Sequence, residues 1–318
     1  MGTGYSDAGL SSKIISTFFY VLLRALLVVC VESILIGCIC VLLYTLQGNR
    51  SYAKEYSKEI DEAMQSKVSM LEAVAAGIDS GTITEQTDIQ NYVDTMADMD
   101  DQVSAVYSCY DENITIMSGG WQPPDDFVVT TREWYQKAQE NPDEVYISEP
   151  YADMQSGGIC ITLSKATYRN GKVAGVVGMD MYMDDLVSLI EESYTGSGYV
   201  FMTTASGTIL THPNADYALS VDSTPTLEDV NSGRYQSLVK KTGTTRVFAD
   251  YKGGLKLGIC YLSEVTGWNI IAVRPMYTLL LFLLAILALN GVIYVITVSI
   301  TRKTTSRKIS VLFKPLES

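Results

Sequence analysis

Histidine is nearly absent from this chain: among 318 residues there is one, His212. A single imidazole excludes multi-histidine metal centres and leaves little general-base machinery. The sequence also lacks a Gly-x-Ser-x-Gly elbow, a His-x-x-x-His pair and a phosphate-binding glycine loop, which removes the usual signatures of serine hydrolases, zinc proteases and P-loop enzymes. The expectation is a protein that is not an enzyme, with no catalytic residues, no cofactor and no metal. Cysteine is scarce and scattered. Cys30, Cys38 and Cys40 lie in an apolar run near the N-terminus, while Cys109, Cys160 and Cys260 are an odd number without clustered spacing. Each of the latter three falls in a strand-like apolar stretch, so they read as buried free thiols rather than a disulfide framework.

Positive charge is short in one region and concentrated elsewhere. Residues 47–275 carry 16 Lys+Arg against 33 Asp+Glu, whereas the two ends together hold 7 basic and 3 acidic residues. An acidic middle with basic ends argues against nucleic acid as a partner and for a membrane protein. Two runs are long enough to cross a bilayer, which needs about 20 apolar residues: residues 25–46 and residues 276–300. Lys13 and Arg24 precede the first, and Arg302, Lys303, Arg307, Lys308 and Lys314 follow the second. The positive-inside rule then places both termini (1–24 and 301–318) in the cytoplasm and residues 47–275 outside. A cleaved signal peptide is the competing reading of the first run. Its apolar stretch is longer than the about 7–15 residues of a signal core and no small-x-small cleavage site follows, which favours an anchor. Glu32 in the first run and Asn290 in the second fall at similar depths, so the expectation is that they meet across the helices or between two copies of the chain.

Beyond the first run, Tyr52, Tyr56, Ile60, Met64, Val68, Leu71, Ala75 and Ile78 recur at three- and four-residue steps. That periodicity predicts an amphipathic stalk helix over 47–78. Two blocks of similar order follow, 79–194 and 195–275. In the first, a helix near Thr87–Met99 leads to strand Val103–Tyr110, an Asp111-Glu112-Asn113 turn and a short strand. A helix near Thr131–Glu140, strands Val145–Ile147, Ile159–Tyr168 and Lys172–Met181, and a helix near Asp184–Glu192 complete it. Asn170-Gly171 is a hairpin turn signal. The second block offers strands Tyr199–Thr204, Thr208–Thr211, Thr244–Asp250, Leu255–Leu262 and Asn269–Val273, with a helix near Arg234–Lys241. The fold class expected is α+β: a long stalk helix carrying two antiparallel-sheet modules, of five strands each, between two transmembrane helices.

The chemistry-bearing residues gather in the first block. Arg132, Trp134 and Tyr135 place a guanidinium, an indole and a phenol within four positions, a set that suits a carboxylate. Tyr151, Asp153 and Asp180 could hold an ammonium group. Together they describe a pocket for a small zwitterion, because opposite ligand charges offset those of the site. The bland reading makes Trp134 and Tyr135 helix core and Arg132 a solvated charge. The second block has no comparable cluster, and His212, followed by Pro213, reads as a strand-end structural residue.

Residues 48–275 resemble the double Cache sensor domains of bacterial receptors. The segments that carry the resemblance are Thr131-Arg132-Glu133-Trp134-Tyr135, Pro150-Tyr151-Ala152-Asp153 through Ile161-Thr162-Leu163-Ser164, and Val176-Val177-Gly178-Met179-Asp180. Gly198-Tyr199-Val200-Phe201 and Ile209-Leu210-Thr211-His212-Pro213-Asn214 carry it in the second module. The resemblance implies two PAS-like modules, a membrane-distal one (79–194) that binds the ligand and a membrane-proximal one (195–275). It further implies that Arg132, Trp134 and Tyr135 hold the carboxylate of an amino acid and that Tyr151, Asp153 and Asp180 hold its amino group. The amino-acid binders carry a tyrosine five residues before the arginine, where this chain has Phe127. A hydroxyl for the amino group is therefore missing, which leaves room for another amine- or carboxylate-bearing ligand. A homodimer in a bacterial plasma membrane, sensing a small molecule as chemotaxis receptors do, is the function implied. A membrane-tethered solute-binding protein, or the input half of a histidine kinase or cyclic-dinucleotide enzyme, are the alternatives. Lys314-Pro315-Leu316, after the basic linker, resembles the opening of a HAMP relay domain.

Overall fold

The computed structural model describes residues 4–110, 114–185 and 198–312. The Asp111-Glu112-Asn113 turn and nearly all of the helix expected over Asp184–Glu192 lie outside the described residues, as does the HAMP-like end. The chain divides into two compact units, one made of residues 1–48 and 276–318 and the other of residues 49–275.

In the first unit, the early part of helix α1 (Gly4–Asp79) and helix α5 (Tyr277–Leu312) are apolar and lipid-like in exposure: both are long and apolar enough to cross a membrane. Gly37 lets the helices approach, since a Cβ there would stand 3.2 Å from Ile286. Asn290 takes its partner from the position next to the one expected. The Ser33 hydroxyl donates to the Asn290 side-chain oxygen, the Asn290 amide donates to Ile286 O at 2.9 Å, and Glu32 is exposed. One residue on a helix is a rotation of about 100°, so Glu32 and Ser33 cannot face the same neighbour within one chain. That corrects the Glu32–Asn290 pairing expected inside a single chain.

In the second unit the rest of α1 forms the spine. Ala53, Tyr56, Ile60, Met64, Leu71, Val74, Ala75 and Ile78 are all buried, a stripe at helical spacing that packs on both sheets. One continuous apolar core joins it to Val106, Ile161, Leu163, Val177 and Met179 of the first sheet and to Met202, Ile259, Trp268 and Ile270 of the second. At about 1.5–3 kcal/mol for each fully buried large side chain, this stripe is the main adhesive of the unit.

The first sheet is built from β1 (Ala105–Tyr110), β2 (Ile114–Met117), β3 (Tyr146–Ile147), β4 (Tyr151–Ala152), β5 (Ile159–Arg169) and β6 (Lys172–Tyr182). Its order is β2-β1-β6-β5-β3, with β4 also paired to β5, and the pairs are antiparallel. The sixth strand corrects the expected five: Tyr151 and Ala152 lie opposite Cys160 and Ile159. Asn170 (φ 54°) and Gly171 (φ 75°) close the β5–β6 hairpin in left-handed conformations that asparagine and glycine tolerate. Helices α2 (Gln86–Ala97) and α3 (Glu133–Glu140) complete this module.

The second sheet has five strands, β7 (Tyr199–Thr203), β8 (Ile209–Thr211), β9 (Arg246–Ala249), β10 (Leu255–Leu262) and β11 (Asn269–Pro275), in the order β8-β7-β11-β10-β9. Its helix α4 is only Gln236–Val239, shorter than the eight residues expected, because left-handed Asn231, Ser232 and Gly233 interrupt the chain just before it.

Candidate functional site

The cleft of interest lies between α3 and the β1-β6-β5 surface of the first sheet. The register explains how it forms. Antiparallel pairing puts Asp180 of β6 opposite Ala105 of β1 on one side and Thr162 of β5 on the other, with Tyr107 opposite Gly178. Gly178 and Asp180 are two apart, so they share a sheet face. A Cβ at Gly178 would stand 2.1 Å from the Tyr107 ring. Its absence lets that ring lie across β6 and bring its hydroxyl to Asp180.

Asp180 is buried, and its Oδ1 accepts from Tyr107 (2.8 Å) and Thr162 (2.5 Å). Tyr151 and Thr162 share a further hydroxyl bond of 2.6 Å. Burial pushes the Asp180 carboxyl up to about 7; the two hydroxyl donors pull the other way and Asp153 adds to the rise. A buried acid with only neutral donors is a charge without a cation. Asp153, half-buried, behaves differently. Burial works against its charge, but Ser156 donates to it from both N and Oγ at 2.7 Å and Tyr182 adds a longer bond, so its carboxyl stays below the ordinary range.

Arg132 precedes α3 and stands over two rings, with its guanidinium carbon 5.9 Å from the centre of Phe127 and 5.3 Å from that of Tyr151. It takes part in none of the ion pairs among the described residues. Trp134 is buried, with its ring centre 5.3 Å from that of Tyr107 and its backbone oxygen accepting from Ser164 at 2.8 Å. Together these groups line a narrow, partly open cleft.

Phe127, Arg132, Trp134, Tyr151, Asp153 and Asp180 all line this cleft, and Tyr135 does not. Tyr135 is 1% exposed in the α3 core, where Gln139 donates to its hydroxyl at 3.3 Å. Consecutive helical residues point about 100° apart; here Trp134 faces the cleft and Tyr135 turns into the core behind it, which corrects the placement of Tyr135 at the carboxylate. Tyr107, Cys109, Met117, Trp121 and Met154 also line the cleft and were not read from the sequence. One signal was available for Tyr107: a glycine inside a strand marks a close approach, and Gly178 stands two residues before Asp180.

Asp153, Cys160 and Asp180 bring possible metal-ligand atoms within 4.8 Å of one another. A metal would need the Cys160 thiolate, and burial pushes that thiol up to about 12. The donor set fits an ammonium group better, since carboxyl and hydroxyl oxygens accept its hydrogens without losing a proton from sulfur.

The second module builds a cluster from residues 199–251. The His212 ring stands 5.2–5.7 Å, centre to centre, from Tyr199, Phe201, Tyr217, Tyr235 and Tyr251. Burial pulls His212 down to about 4. Asp250 beside it accepts from Tyr199 (2.6 Å), Tyr235 (3.3 Å) and Tyr251 N (2.8 Å), and the Lys256 ammonium lies 3.7 Å from its other oxygen. The imidazole is buried among these rings.

Comparison with known proteins agrees with this architecture. The methyl-accepting chemotaxis protein McpC of Bacillus subtilis is 30% identical over 152 residues, covering 46% of this chain and 20% of its own length. TlpA of the same organism is 26% identical over 227 residues, 69% of this chain and 32% of its own. The chain thus spans about a fifth to a third of the length of these curated relatives. Among solved structures, the ligand-binding domain of the Campylobacter jejuni chemoreceptor Tlp3, in complex with 4-methylisoleucine, superposes with a TM-score of 0.63 at 18% identity. That match covers 75% of this chain and 94% of that one. The ligand-binding domain of Pseudomonas fluorescens CtaA, in complex with L-alanine, gives 0.59 at 20% identity over 71% of this chain and 96% of that one. The family model for the Cache domain matches residues 43–281, which takes in the stalk stripe, both sheets and the cleft: the chain belongs to the Cache domain family.

Proposed function

We propose that this chain is the input unit of a two-pass membrane receptor, and that its membrane-distal module, 79–194, binds a small α-amino acid. The observation that carries the reading is one cleft lined by both the Arg132 guanidinium and the buried Asp180 carboxyl. Arg132 and the Trp134 indole would take the ligand carboxylate. Asp180, Asp153 and the Tyr151 hydroxyl would take its ammonium group. Cys109, Met117, Trp121, Phe127 and Met154 leave an apolar surface for the side chain, so an aliphatic amino acid fits better than a charged one. Phe127 offers an edge and not a hydroxyl, so the ammonium group is held by carboxylates more than by phenols.

The two apolar helices, with basic residues at their outer ends in sequence, support a bilayer as the second partner and cytoplasmic termini. A homodimer, with output through cytoplasmic segments as in methyl-accepting chemotaxis proteins, is the assembly we favour; Glu32, exposed on its helix, is then available to a second copy. Calorimetric titration of the full chain in detergent with the common amino acids tests the reading. Saturable binding of an aliphatic amino acid, lost in Arg132→Ala and in Asp180→Ala, is expected; binding that persists in both variants overturns the site.

A further inference from the structure

The second sheet carries a feature that the amino-acid cleft does not use. Between α4 and edge strand β9 lies an open cleft lined by Arg234, Gln236, Ser237, Lys240, Arg246 and Phe248, among others. No acid lines it. In a stretch where acids outnumber bases two to one, three cations around one hollow are unexpected. Arg234, Lys240 and Arg246 enter none of the ion pairs among the described residues. Asp229, close in sequence, is turned away to accept from Thr226 N and Oγ1. The Nε of Arg246 is buried and has no hydrogen-bond partner. An orphaned buried donor is costly unless a ligand meets it.

The entrance is shaped by strained backbone. Asn231 and Ser232 hold left-handed φ of 48° and 55°, followed by Gly233 at 69°. Asn231 is fixed there by its amide, which donates to Ala249 O of β9 at 3.1 Å, and Arg234 folds back with Nη1 donating to Asn231 O at 3.2 Å. Strain of this kind persists only where the surroundings impose it. The result ties the loop bearing Arg234 to the strand bearing Arg246.

We propose that this cleft is a second ligand site, in the membrane-proximal module, for a phosphate group. A zwitterion fits less well, because no carboxylate lines the cleft to pair with an ammonium group. Two guanidinium forks and an ammonium match the several oxygens and double charge of a phosphate better than a single carboxylate. The phosphate arrives either free in solution or as a lipid headgroup, and the test below separates the two. The two sources share the same chemistry.

The test uses the full chain in phosphatidylcholine nanodiscs, titrated with inorganic phosphate at constant ionic strength. Saturable binding is expected, weakened at least tenfold in Arg246→Gln and in Arg234→Gln and about threefold in Lys240→Gln. Because Lys240 is exposed, its variant reads the site even if Arg246→Gln disturbs folding. Equal binding in all three variants, or the same signal from chloride, overturns the proposal; succinate binding tighter than phosphate overturns the phosphate assignment. Nanodiscs containing phosphatidic acid, in phosphate-free buffer before titration, separate the sources. Tenfold weaker uptake of free phosphate there assigns the site to lipid, and unchanged uptake assigns it to the soluble ion.

Discussion

Two modules of the same architecture handle a buried acid in opposite ways. In the distal sheet, Asp180 meets only hydroxyl donors and borders an open cleft. In the proximal sheet, Asp250 meets two tyrosine hydroxyls, a backbone N–H and the Lys256 ammonium, with His212 buried beside it. The first carboxyl has no cation within ion-pair distance; the second has Lys256 at 3.7 Å, although its Oδ2 makes no hydrogen bond. A recognition site on this fold is thus made by leaving out one internal cation, and a closed core by supplying it. Burial near a carboxylate is common to both and does not by itself mark a ligand site.

The strongest way to break this comparison is to remove one pole of the distal cleft. Arg132→Ala or Asp180→Ala should cost about 3–5 kcal/mol of amino-acid binding, by leaving a ligand charge unpaired in a partly dry site. Calorimetry reads that loss, and unfolding midpoints should move little beside it. Phe127→Tyr works in the other direction. If its new hydroxyl reaches the ammonium group, binding should tighten by about 1.5–3 kcal/mol, the contribution of a hydrogen bond to a charged group; unchanged affinity places the ligand differently. In the proximal module, Asp250→Asn should lower stability by about 1–3 kcal/mol in denaturant unfolding while leaving amino-acid affinity intact. A loss of affinity there would mean that the two modules are not distinguished as described.

Acidity gives the finest separation, because the two modules respond with opposite sign. Asp180 is raised from 3.8 to about 7, so the folded state binds more protons than the unfolded one between those values, and its contribution falls as pH rises from about 4 to 7. His212 is lowered from 6.5 to about 4, so the unfolded state binds more protons, and its contribution grows as pH rises from about 4 to 6.5. Hydrogen exchange followed separately in the two sheets should show the distal module loosening, and the proximal one tightening, over that range. An ammonium ligand favours the charged form of Asp180, so amino-acid affinity should fall up to tenfold for each pH unit below 7. Affinity flat from pH 8 to 5 would remove Asp180 from the ammonium site.

The poles of the cleft were legible because they are local: Arg132 and Trp134 are two apart, and Tyr151 and Asp153 likewise. What closes the cleft depends on register. Tyr107 reaches Asp180 only because β1 pairs with β6 at Ala105–Asp180, and Thr162 only because β5 pairs with β6 one position in step. No pattern within either strand specifies that alignment. Tyr135 was misplaced for a rotational reason, as was Glu32: adjacent residues on a helix look in different directions. The proximal cluster escaped notice because its members, Tyr199, His212, Tyr235 and Asp250, come from four separate segments. Cys109, Cys160 and Cys260 are buried and free, in line with their apolar strand contexts.

The stalk part of α1 is fastened to each module by polar ties as well as by its apolar stripe, two of them near its middle. Lys67, almost fully buried, pairs with Asp100 in the loop before β1, and Ser104 at the end of that loop donates from both N and Oγ to the backbone oxygen of Asp180. Asp61 accepts from Ser263 Oγ and from the backbone of Glu264 and Val265 in the β10–β11 turn. Six residues of helix separate the ties, about 9 Å of rigid rod. In mechanical terms the helix is a gauge block clamped at two stations. Between the stations the helix cannot shorten without breaking its hydrogen bonds, so their spacing is fixed for as long as the helix stays intact.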